Sequence, residues 1–190
     1  MSKQLLSFFQ ALEKLKKIKR TGWIERGVKG PESIADHSFR MTILALTLAE
    51  KMNCNQQKLV DLCLVHDLHE SICGDLILDF SRFGGTFKGL PPEEKKQKEL
   101  DAKNKLFSML DEKTRIRFEV LWVEFEEGVS KEAKIAKQLD KLEMLFQASE
   151  YHSQKNFEKE IFPVFLQCNR AYITEPVLKE LLEELIQKTP

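Results

Sequence analysis

Val65-His66-Asp67-Leu68-His69-Glu70 closes an apolar run, Leu59, Val60, Leu62, Leu64 and Val65, whose spacing suits a buried helix. His66 and Asp67 are neighbours. On a helix they point roughly 100° apart and reach one cation together only from a helix end or beside a groove. Glu70 follows His66 at i+4, on the same face one turn further on, where it can address a water beside an ion without ligating the ion. The stretch predicts the centre of a metal site, although the same pair would also serve as a cap or a core hydrogen-bond pair.

Two further stretches add weight. Glu32-Ser33-Ile34-Ala35-Asp36-His37-Ser38 sets a His in the first turn of a long apolar helix, and Lys137-Gln138-Leu139-Asp140-Lys141-Leu142-Glu143 sets an Asp inside another. Flanked by Ile135, Ala136, Leu139, Leu142 and Leu145, Asp140 falls partly on the buried side. A buried carboxylate is costly without a cation or strong hydrogen bonds.

His37, His66-Asp67 and Asp140, in that order on successive helices, resemble the HD-domain metal-dependent phosphohydrolases. Within them the chain is similar to the 5'-deoxynucleotidase and HD domain-containing protein 2 branch. The stretches that carry the resemblance are Lys19-Arg20-Thr21-Gly22-Trp23, Glu32 to His37, His66 to Glu70, Gly74-Asp75, Lys137 to Asp140, and Gln147-Ala148-Ser149-Glu150-Tyr151.

Composition sets the outer bounds. The 190 residues suit one domain, 1–190, with a metal-site core over about 20–151 and C-terminal helices over about 157–188 packed on it. Lys+Arg and Asp+Glu are both 30, so no global field favours a nucleic acid polymer or an anionic membrane, and a small substrate is expected. No signal peptide or membrane-spanning segment is recognisable, which predicts a soluble, cytoplasmic protein. Cys54, Cys63, Cys73 and Cys168 form no Cys-x-x-Cys pair and read as reduced thiols, with Cys73 near the metal motif.

Periodicity predicts an all-α fold. A first amphipathic helix carries Leu5, Leu6, Phe9, Leu12, Leu15 and Ile18. After a glycine-punctuated connection, Ser33 or Asp36 caps a second helix through about Met52, and a third runs from about Gln56 to His69. Pro91-Pro92-Glu93-Glu94 begins another. Others cover about Asp111 to Glu127, Lys131 to His152, Phe157 to Cys168 and Glu175 to Gln187. Gly74 to Leu90, with Phe80, Phe83 and Phe87, reads either as a substrate lid or as a loop packing its aromatics on the core.

Two imidazoles and two carboxylates make a mixed nitrogen and oxygen set suited to one divalent ion: Mn, Co, Fe, Ni or Zn. The resemblance implies that His37, His66, Asp67 and Asp140 ligate it and that Glu70 is catalytic. It also implies that Arg20, at the end of the first helix, binds phosphate and that Asp75 lies near the nucleotide sugar. Trp23 is either a substrate contact or core, and His69 either supports the site or is exposed. The implied reaction is hydrolysis of the 5'-phosphate of (deoxy)nucleoside 5'-monophosphates. Alternatives are a phosphodiesterase or other nucleotide phosphohydrolase, or a non-catalytic metal-binding module. A di-iron oxygenase is disfavoured, since His69 and His152 are poorly placed for a second metal. Members of the branch are often homodimers, but the apolar face of Leu178, Leu181, Leu182 and Leu185 suits a monomer core equally.

Overall fold

The computed structural model describes residues 3–79, 89–155 and 160–189. They form α1 (Lys3–Leu12), a 3-10 turn (Glu13–Lys16), α2 (Thr21–Ile24), α3 (Ile34–Leu48), α4 (Gln56–Val65), α5 (Glu70–Cys73), α6 (Pro92–Phe107), α7 (Glu112–Glu127), α8 (Lys131–Ser153), α9 (Phe162–Asn169) and α10 (Pro176–Lys188). Among the described residues there are no strands, only the isolated bridges Lys19 to Ser33 and Leu78 to Leu90. The fold is all-α. Most of Gly74 to Leu90, the segment with two readings, lies outside the described residues, as does the predicted start of α9.

Local chemistry starts the helices. Ser33 caps α3 in a reciprocal box: its hydroxyl accepts from Asp36 N–H, and the Asp36 carboxylate accepts from Ser33 N–H at 2.8 Å. Asn55, Asp111 and Ser130 cap α4, α7 and α8 in the same N3-directed way. Gly128 ends α7 at φ 62°, and a Cβ there would come within 3.2 Å of the Lys137 side chain. That requirement sharply separates α7 from α8.

The 23-residue α8 is the central strut, packed on α3, α4, α7, α9 and α10. Its residues Ile135, Ala136, Leu139, Leu142 and Leu145 are at most 2% exposed and join Met41, Ala45, Leu59 and Leu62 in the core. Arg40 of α3 ties the two helices further, donating to Glu143, Gln147 and Glu150 of α8. Gln138 Oε1 accepts from the Thr174 and Glu175 N–H groups, both at 2.7 Å, and so fixes the start of α10. Before α3, Arg20 N–H donates to Glu32 O and Ile34 N–H to Ile18 O, holding the Arg20 strand-like stretch against the helix that carries His37.

Candidate metal centre

The predicted third helix stops at Val65, earlier than its apolar pattern suggests. The cause is local. His66 Nδ1 donates to Cys63 O at 2.8 Å, occupying the carbonyl that an uninterrupted helix would offer to Asp67 N–H. Beyond it the chain tightens into i→i−3 bonds: Leu68 N–H to Val65 O, Glu70 N–H to Asp67 O and Ser71 N–H to Leu68 O. His66 and Asp67 therefore sit at a helix end, where adjacent residues can face one point. Glu70 begins the separate, one-turn α5.

Three elements converge there. His37 in the first turn of α3, His66 and Asp67 at the end of α4 and Asp140 in the middle of α8 form one cluster. Ligand atoms of His37, His66 and Asp67 all lie within 4.8 Å of one another. Asp140 Oδ1 is 3.3 Å from His37 Nε2, and Asp67 Oδ2 is 3.0 Å from His66 Nε2. Both imidazoles are buried.

The outer nitrogens settle how the rings face. A carbonyl or carboxylate can only accept, so His66 Nδ1 donates to Cys63 O and His37 Nδ1 donates to Glu143, which sits fully buried behind it. Each ring consequently turns its Nε2 inward, where a bound ion would take the place of any proton on that nitrogen. Neither Nε2 has a hydrogen-bond partner among the described residues. Orphaned buried nitrogens, beside two carboxylates and backed by acceptors, are the donor arrangement that a divalent ion uses.

Electrostatics agree. Burial opposes ionisation of Asp67, but the His66 ring and the Arg20 guanidinium hold its carboxyl below the usual range. For Asp140, Lys141, His37 and Arg20 overcome burial in the same way. Burial and Arg20 work against a proton on His37, yet Asp140 and Glu143 prevail and raise its pKa to about 9. Glu70 goes the other way: burial, then repulsion from Asp67 and Asp75, lifts it well above the ordinary value. A cation among these groups relieves that repulsion.

Around the cluster, Arg20 is 13% exposed, with Nη1 3.4 Å from Asp67 and Nη2 3.8 Å from Asp140. It does not end the first helix but immediately precedes α2. Asp75 joins through α2: its Oδ2 accepts from Thr21 N–H at 2.5 Å, and its carbonyl accepts from the Thr21 hydroxyl at 2.7 Å. Glu70 is buried, and its Oε2 has no hydrogen-bond partner among the described residues. Trp23 is core, 1% exposed, with Nε1 donating to Glu32 at 2.8 Å. His69 is buried rather than exposed.

Sequence reasoning passes over three residues here. Glu143 braces His37, Arg40 braces Glu143, and Lys141 Nζ lies 2.9 Å from Asp140 Oδ2 as a second cation beside Arg20. The signal for the first two is spacing: Arg40 and Glu143 each follow a candidate ligand by three positions, one helical turn on.

The family profile described as HD domain matches residues 12–180. This chain belongs to the HD-domain family. Membership implies a bound divalent cation, and the HD-domain donors found here fit one. The HD-domain chain is 35% identical to the 5'-deoxynucleotidase HDDC2 of Bos taurus over 184 residues, covering 97% of this chain and 85% of the relative. It is 33% identical to that of Dictyostelium discoideum over 189 residues, covering 95% of each. Among solved structures, the PH0347 protein of Pyrococcus horikoshii matches with a TM-score of 0.74 and 28% identity over 96% of each chain.

Proposed function

We propose that this protein is a divalent-metal-dependent phosphoric monoester hydrolase that removes the 5'-phosphate from (deoxy)nucleoside 5'-monophosphates. The observation that carries the reading is the pair of inward, unpartnered His Nε2 atoms flanked by Asp67 and Asp140, with Arg20 bridging both acids. The names of the relatives support the substrate class.

His37, His66, Asp67 and Asp140 hold one ion, and their mixed donors suit Mn, Fe, Co, Ni or Zn. The ion, when bound, supplies Lewis-acid charge and makes water acidic enough to lose a proton near neutral pH. The chain's own groups do the rest. Arg20 offers a two-pronged donor to phosphate oxygens, and Lys141 adds a second positive charge on the same side. Glu70 orients the attacking water and takes its proton as the water oxygen bonds to phosphorus and the bond to O5' breaks, the departing O5' taking a proton from solvent to leave as the nucleoside hydroxyl. Asp75, anchored to Thr21, lines the sugar side. No helix among the described residues is long and apolar enough to cross a membrane.

The protein pairs with a second copy of itself through α7. Ile116, Val120 and Val123 are 48%, 58% and 40% exposed at the three-four spacing of a helix-pairing seam, with Lys113 at one end and Glu127 at the other. An antiparallel two-fold sets Lys113 against Glu127. The exposed stripe of α3, Phe39, Ile43 and Leu46, instead lies between Asp36 and Glu50 in the turn just past the helix, so the same pairing there opposes two acids.

The test is phosphate release from ribo- and deoxyribonucleoside 5'-monophosphates by metal-stripped protein resupplied with Mn, Co, Zn or Mg. Metal-dependent release that falls about 10²–10⁴-fold in Glu70→Gln is expected. An absence of release with every metal, while one ion still binds tightly, overturns the assignment in favour of a phosphodiesterase or a non-catalytic metal module. Light scattering of wild type and Val120→Asp tests the seam: a dimer that survives the substitution refutes it.

A further inference from the structure

Among the described residues, no side chain is bonded to the Oε2 atom of Glu70. Its helix α5 is four residues long, too short to hold an orientation by itself. α5 packs on α6, and the residue before it carries a directional bond to α7. His69 O accepts from Ile72 N–H at 2.9 Å and from Cys73 N–H at 3.4 Å. The His69 ring, 3% exposed, reaches away from the metal cluster toward α6 and α7.

The bond it makes there is directional. Trp122 Nε1 donates to His69 Nδ1 at 3.2 Å, with the two rings edge to face, their centroids 5.7 Å apart at 83°. An indole N–H can only donate, so His69 Nδ1 accepts and its proton resides on Nε2, whereas His37 and His66 each donate through Nδ1. That Nε2 lies 3.8 Å from Glu99 Oε1, which also pairs with Lys95. Lys103 Nζ sits 5.5 Å over the Trp122 ring and braces it. An apolar ring would fill the space but leave rotation about the α5 axis unset.

We propose that His69 is the positioning residue for Glu70: its bond to Trp122 pins one-turn α5 to α7 and thereby aims the Glu70 carboxylate at the metal cluster. The inference rests on the assignment of Glu70 as the catalytic carboxylate. It assigns His69 no contact with substrate or ion.

The test is steady-state hydrolysis of a deoxynucleoside 5'-monophosphate by metal-loaded wild type, Glu70→Gln, His69→Phe, His69→Asn, Trp122→Phe and the doubles. His69→Phe keeps a ring and loses the acceptor. A fall in kcat of about 10- to 100-fold is expected, with KM, bound-metal stoichiometry and helical content unchanged. Trp122→Phe removes the donor, lowers kcat in the same direction and adds nothing to His69→Phe. His69→Asn, whose Oδ1 takes the place of Nδ1, recovers most of the loss together with the indole N–H resonance of Trp122. In the Glu70→Gln background, His69→Phe costs nothing further.

Wild-type kcat in His69→Phe overturns the proposal. So does the same fold-loss with or without the Glu70 carboxylate, or loss of metal as the primary defect. Should Glu70→Gln itself turn over at the wild-type rate, the role of Glu70 falls and this inference with it, an outcome distinct from an impaired Glu70→Gln beside an intact His69→Phe.

Discussion

Replacing Glu143 separates the stability of the HD-domain centre from its affinity for metal. Its side chain is fully buried, one oxygen on His37 Nδ1 and the other bonded to Arg40 Nε at 2.8 Å and Nη2 at 2.7 Å. Glu143→Ala strands a buried ring nitrogen and a half-buried guanidinium. Removing one partner of a buried ion pair costs about 3–5 kcal/mol. Because Arg40 keeps Gln147 and Glu150, the lower end, about 3 kcal/mol, is expected. For a chain of this length each kcal/mol moves Tm by about 2–4 °C, so the melt should fall by about 6–12 °C.

Glu143→Gln keeps the shape and an acceptor for the His37 N–H but not the charge that strengthens that bond. Metal affinity should weaken by about 10- to 100-fold, which is about 1.4–2.7 kcal/mol. The assays are calorimetric melting of metal-stripped protein and ion titration against a fluorescent chelator. A Gln variant that binds the ion as tightly as wild type would refute the idea that Glu143 orients His37. An Ala variant that melts with wild type would refute the energetics.

Three further outcomes follow from the geometry. Ser33→Ala removes one arm of the α3 capping box and should cost about 1 kcal/mol, read as a Tm loss of about 2–4 °C. Burial works against it, but the Ser33 N–H and hydroxyl hold the Asp36 carboxyl below its ordinary value. Its contribution is thus present above the unfolded pKa of about 3.9 and fades as pH falls through the lowered folded value. The wild-type advantage over Ser33→Ala in thermal melts should shrink in that acid range. Leu142→Ala, at a fully buried position, should cost about 2–5 kcal/mol in chemical denaturation. Thr21→Val cuts the hydroxyl bond to Asp75 and should raise KM for nucleotide in steady-state assays, while bound metal, counted by elemental analysis, stays at the wild-type level.

Much of this arrangement is legible in the residues themselves. Pro91-Pro92, Asp111 and the Gly128-Val129-Ser130 interval mark helix boundaries because caps and φ-restricted residues act locally. The ordering of His37, His66-Asp67 and Asp140 along three apolar helices, which the structure gathers, is visible for the same reason: helical phase follows from spacing alone. What escapes is non-local. Glu143 looks like one more charge in a Lys- and Glu-rich helix until α3 packs on α8 and brings it against His37. The end of α4 escapes too, since a side chain capturing the Cys63 carbonyl leaves no mark on apolar periodicity. Trp23 is settled as core only by Tyr151 and Phe165, far along the chain, whose rings close over it.

The grip on the two imidazoles from their Nδ1 sides has a consequence for exchange. Glu143 and the Cys63 carbonyl are parts of the folded chain, so the rings are aimed by the protein and not by whatever they surround. On the proposed ligand set, departure of an ion would leave the two rings aimed as they are, and a different divalent ion would meet the same pair of nitrogens. Selectivity would then rest on coordination preference and on supply.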